Sequence, residues 1–137
     1  MKLLPPFEER SFPEQLIAAI VIPVVFGIIT GLALGWNGIV YWVLVGPIAL
    51  IGGFLGGMDH RGADDGFVRG VIGGLVYGSF TLIGFEIANT EAKAYLGDPQ
   101  VGLVFATTLI GAILGALGGW YRVRLERERG VAAPPSA

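Results

Sequence analysis

The sequence predicts an all-α polytopic membrane protein, a four-transmembrane-helix bundle, on three observations. Four long apolar runs are separated by short polar turns. The composition is 53% hydrophobic against 15% charged, with a mean hydropathy of +0.69, which makes a bilayer the natural solvent. Within the runs glycine recurs at every fourth position: Gly27, Gly31 and Gly35; Gly52 and Gly56, with Gly53 and Gly57 beside them; Gly66, Gly70, Gly74 and Gly78; Gly111, Gly115 and Gly119. In lipid such strips without side chains let backbones approach, so each run carries its own packing face.

Residues 1–10 read as a polar leader, broken by prolines, with no structured role. Ser11, Pro13 and Glu14 then mark a helix start, with a capping box and a proline where its missing donor costs nothing. The first span is expected over residues 12–35. About 24 residues at 1.5 Å each cover roughly 36 Å, enough to cross a hydrocarbon core of about 30 Å. Pro23 removes a donor inside this span and predicts a bend. The length of the run and the preceding Glu8, Glu9 and Glu14 favour a permanent helix over a cleaved signal peptide.

Trp36-Asn37-Gly38 is an uncharged turn, with Trp36, Tyr41 and Trp42 placed as an interfacial aromatic belt. The second span is expected over residues 39–58 and contains Pro47. Asp59 to Asp65 form a short polar loop, and the third span covers residues 66–88 with Arg69 in its first turn. Asn89 to Gln100 is the longest connection, closing with Asp98 as N-cap and Pro99 at the first helical position. The fourth span covers residues 100–121 and continues in water to residue 129, leaving residues 130–137 as a disordered tail.

Of the nine basic residues, Lys2, Arg10, Arg61, Arg69, Arg122, Arg124, Arg127 and Arg129 fall on one side of these spans and Lys93 on the other. The positive-inside rule then places both termini and the central loop in the cytoplasm, in a multi-pass protein of the cell membrane. Leu50-Ile51-Gly52 with Leu55-Gly56 matches Leu109-Ile110-Gly111 with Leu114-Gly115, and Phe26-Gly27 with Thr30 matches Tyr77-Gly78 with Thr81. This predicts two tandem hairpins related by a pseudo-twofold axis along the membrane normal.

Glu86 is the acidic residue set inside an apolar run. It is read as an interfacial carboxylate near the outer edge or as a proton or cation site at the mouth of a pathway, with Thr81 as a companion hydroxyl. Asp59, His60, Asp64 and Asp65 carry donors suited to a divalent cation, but their spacing fits no EF-hand or zinc motif, and a solvated loop is the plainer reading. Arg69 is expected to face the cytoplasmic headgroups, where an anionic lipid contact accounts for it. Ser79, Thr81, Thr107 and Thr108 are expected to bond to helix backbones. Arg122 to Arg129, alternating with glutamates, read as a topogenic anchor and solvated helical extension.

No histidine stands near a serine or aspartate in a catalytic pattern, and the glycine runs lack the strand and lysine of a phosphate loop. With no cysteine, disulfides and thiolate chemistry are excluded. A formal charge of -2, with basic residues not gathered on a folded surface, argues against nucleic acid.

The stretch from Gly46 to Phe80, with Gly52-Gly53 and Gly56-Gly57, a charged loop ending in Asp64-Asp65-Gly66, and Val68-Arg69-Gly70 followed by Gly74-Leu75, resembles a family of small four-span, glycine-rich prokaryotic membrane proteins found especially in halophilic archaea. That family has no assigned activity, so the resemblance implies an architecture and no mechanism. Small multidrug transporters and fluoride channels are of similar length, but the chain has neither a glutamate of the kind those families carry in a first span nor a polar, phenylalanine-lined track. The expected function is a non-enzymatic structural or accessory bundle without a cofactor, in contact with the lipid bilayer and with further copies of itself or a membrane-protein partner. The alternative is a small ion or solute channel or transporter with Glu86 near the pathway mouth.

Overall fold

The computed structural model describes residues 5–96 and 100–130. Four helices account for the apolar runs: α1 (Phe12–Trp36), α2 (Gly38–Met58), α3 (Ala63–Ala88) and α4 (Gly102–Glu128). Each is long and apolar enough to cross a membrane, and the described residues contain no strand. The protein is an all-α, four-helix, multi-pass membrane protein. The N-cap expected from Asp98 and Pro99, the residues before Pro5 and the tail after Gly130 lie outside the described residues.

Local chemistry sets the helix ends. The Glu14 carboxylate accepts from the backbone N–H and the hydroxyl of Ser11 at 2.9 and 2.8 Å, holding the start of α1. Asn37 caps α2 by accepting from the N–H groups of Ile39 and Val40. Asn89 closes α3 in the left-handed conformation, φ 50°, which asparagine tolerates better than most residues. The last carbonyls of α1 would otherwise be orphans. They accept instead from the connection between α3 and α4: Leu34 from the Lys93 N–H at 3.0 Å and Gly35 from the Thr90 hydroxyl at 2.9 Å. This draws Ala94 and Leu96 over a small apolar cluster of Leu34, Tyr41 and Phe85.

The order in space is α1, α3, α4, α2. The longest seam joins α3 to α4, followed by α1 with α3 and α2 with α4, while α1 and α2 scarcely touch. The seams are made where side chains are missing. A Cβ on Gly70 would overlap the Gly111 carbonyl, and one on Gly74 would lie 2.7 Å from Thr108 Cα. Between α1 and α3, a Cβ on Gly27 would lie 2.7 Å from the Tyr77 carbonyl oxygen, and one on Gly31 would lie 2.6 Å from the Phe85 backbone nitrogen. These approaches leave no place for a methyl group. The two hairpins are therefore packed unequally: the second closes on itself, whereas each helix of the first leans on the second.

On α2 the contact face differs from the one expected. A Cβ on Gly52 would meet open space, and one on Gly56 would meet only the Arg69 guanidinium at 3.9 Å. The working strip is the neighbouring one, with Gly57 against Gly115 and Gly53 against Leu114. Adjacent residues point about 100° apart on a helix, so two glycine strips ran side by side and packing on α4 selected one.

Pro23 acts differently from a simple bend. Just before it, residues Ile17–Val21 wind as a π-helix, and the Ile22 N–H reaches back five residues to the Ile17 carbonyl. In that register the next carbonyl, Ala18, would take its bond from residue 23, which is proline and has no N–H. Pro47 lies inside α2 without ending it.

Candidate functional site

The residues singled out for transport, Glu86 and Thr81, are not brought together. Thr81 is 1% exposed, and its hydroxyl donates to the Tyr77 carbonyl of its own helix. Glu86 is exposed at the far end of α3, beside Asn89, Thr90 and Glu91 in a shallow surface hollow. Five helical steps separate them, placing them on different faces.

Other hydroxyls in the spans are also engaged. Tyr77 donates to Thr30 at 3.1 Å across the α1–α3 seam, and Thr30 donates to the Phe26 carbonyl. Thr107 lies within hydrogen-bond distance of the Gly74 carbonyl across the α3–α4 seam and of two carbonyls in its own helix. Each of these bonds fastens a helix to itself or to its neighbour.

The densest polar structure lies at the opposite end, where α2 hands over to α3. The leader, expected to have no structured role, forms a 3₁₀ turn over Phe7–Glu9 and docks on this loop. The Phe7 N–H donates to the Asp59 carbonyl at 2.8 Å, and its ring lies 4.9 Å from that of His60. Arg10 grips both oxygens of Asp59 at 2.6 and 3.1 Å, Glu8 meets His60 Nδ1 at 3.1 Å, and Glu9 meets Arg61 at 2.6 Å. A planar guanidinium matched to a carboxylate makes the Arg10 pair the strongest of the three. The exposed Arg61–Glu9 pair contributes little.

Glu8 gives this clasp a pH dependence. Partial burial resists its ionisation, but its own backbone N–H, the hydrogen bond from His60 and the charges of His60 and Arg61 outweigh that and hold its carboxyl below the ordinary value of 4.5. A depressed folded pKa adds stability above the unfolded value and loses it as pH falls through the folded one. Docking should therefore weaken as pH falls below 4.5. Hydrogen exchange at the Phe7 amide, corrected for its intrinsic rate, should show protection falling in acid. Glu8→Gln should show weaker protection with no acid step, and the same step in that variant would remove Glu8 as its cause.

Two arginines make contacts that the sequence did not show. Arg122, expected in water, is 4% exposed, and it donates to the Met58 carbonyl at the end of α2 and to Glu126 at 2.9 and 2.8 Å. Arg69, for which the sequence suggested only a headgroup contact, also turns across the bundle and donates to the Ala18 carbonyl, the group that Pro23 leaves without its helical donor. Asp59 and His60 are held by Arg10 and Glu8, and among the described residues no three His, Cys, Asp or Glu side chains gather to hold a metal ion. Proline in a span signals a freed carbonyl, and an arginine within reach of the same depth was the one clue to its donor.

No family model, no curated protein and no solved structure matches the chain.

Proposed function

We propose that the chain is a non-enzymatic structural or accessory bundle of the cell membrane, with both termini and the α2–α3 loop on the cytoplasmic side. The observation that carries this reading is the meeting of α3 with α1 and α4 backbone to backbone, which fills the space a water path through one chain would need. The orientation rests on the gathering of basic residues at the end where the leader docks. Reconstitution tests the role. Vesicles bearing the protein should pass ions no faster than protein-free vesicles, and Glu86→Gln should change nothing. A flux above background that falls in Glu86→Gln would replace this reading with a channel entered beside Glu86.

The partners of such a bundle are lipid and, on this reading, further copies of the chain. The observation favouring self-association is the unused strip of α2, where a Cβ on Gly52 would meet nothing within 4 Å. Bare strips of this kind are used by membrane helices to pair. Gly52→Leu should leave thermal stability within about 0.5 kcal/mol of the parent, as for a substitution that touches nothing. It should also lower the cross-linked dimer fraction in bilayers; an unchanged fraction would move the contact elsewhere.

A further inference from the structure

The geometry points to a phosphate-oxyanion site at Arg69, in the cleft where α1 and α2 part. Arg69 begins six residues into α3, about 9 Å along the axis from Ala63 at 1.5 Å per residue, which leaves its head within reach of the headgroup layer. A guanidinium has five N–H donors. Among the described residues, the one hydrogen bond it makes is to the Ala18 carbonyl, its Nε is buried with no partner, and no carboxylate is in ion-pairing contact with it. Asp59 is near enough to be felt electrostatically, yet both its oxygens are held by Arg10.

The surroundings make room for a ligand on this head. Gly56 of α2 stands 3.9 Å from the guanidinium measured from an ideal Cβ, and a Cβ on Gly73 would come within 2.9 Å of it, so the head lies against two helices where neither has a side chain. The side chain is half-buried, and α1, which supplies Ala18, and α2, which supplies Gly56, make few contacts with each other. A cation set among apolar helices with one neutral acceptor lacks a counter-charge, and a planar fork with free N–H groups matches a phosphate better than any single-point anion. The phosphate can come from an anionic lipid headgroup in the inner leaflet or from solution. The site rests on the reading of the four helices as membrane spans and is independent of whether the chain conducts.

The test uses the whole chain in a non-ionic detergent, with thermal unfolding followed while dioleoylphosphatidylglycerol, sodium phosphate, or sodium chloride at matched ionic strength is added. A ligand that binds the folded state raises the midpoint, and an upward shift of about 4 °C or more is expected for the lipid or for phosphate, with none for chloride. A shift with the lipid alone assigns the site to a headgroup; one with inorganic phosphate as well assigns it to the free oxyanion. Arg69→Gln should lose the shift. Should that variant fail to fold, Gly56→Leu decides, because it keeps the arginine and fills the cleft beside it, and it too should lose the shift. No shift with either probe, or an equal shift in a folded Arg69→Gln or Gly56→Leu protein, overturns the proposal.

Discussion

Gly74→Leu should unfold the bundle or cost about 3 to 5 kcal/mol, the range reserved for substitutions that cannot be relieved locally. The atoms its side chain would strike are main-chain atoms of Thr107 and Thr108, so no rotamer change can clear them and α3 must move off α4. That movement also breaks the Thr107 contact with the Gly74 carbonyl and opens the longest seam of the fold. Gly52→Leu is the matched control, since a side chain there meets nothing within 4 Å. Unfolding in detergent, followed by circular dichroism, should separate the two by several kilocalories per mole. Equal stability would mean that α3 and α4 do not meet backbone to backbone.

Arg122→Met should cost about 2 to 3 kcal/mol, because it removes a buried charged donor and leaves its partners behind. The Met58 carbonyl, at the end of α2, would lose its donor, and Glu126, 17% exposed, would lose its ion-pair partner. Arg122→Lys should recover part of the loss, since a single ammonium keeps the charge but cannot fork between the carbonyl and the carboxylate. Denaturant midpoints of the three proteins should fall in the order Arg, Lys, Met. A methionine variant as stable as the parent would mean that the glycine contacts of α2 on α4, Gly57 with Gly115 and Gly53 with Leu114, hold that helix without the arginine.

Much of the fold was legible because it depends on local pattern. The apolar runs place the four spans close to where they lie, and the glycine strips of α1, α3 and α4 fall on the seams because each helix carries a single strip. The second helix carries two, and its partner's surface, not its own sequence, selects between them. The start of α1 and the turn at Asn37 were readable from capping residues alone. Arg69 and Arg122 were not, since each serves a carbonyl on another helix that becomes needy only through a proline or a helix end far along the chain. The leader was misread for a related reason: its charges pair one by one with residues about fifty positions later, a match invisible in composition. Of the candidate transport pair, the sequence gives the residue types, but the rotation between Thr81 and Glu86 puts one in the interior and the other outside.

The unequal hairpins bear on how the protein is made. The principal partner of α1 is α3 and that of α2 is α4, so each early helix leaves the ribosome two segments ahead of the surface it needs. The first pair must wait in the insertion machinery or in lipid, held by little more than the Asn37 turn, until the second pair arrives and receives both. Insertion runs from the front of the chain, but final packing of the first half waits on the second, which supplies the surfaces on which it is seated.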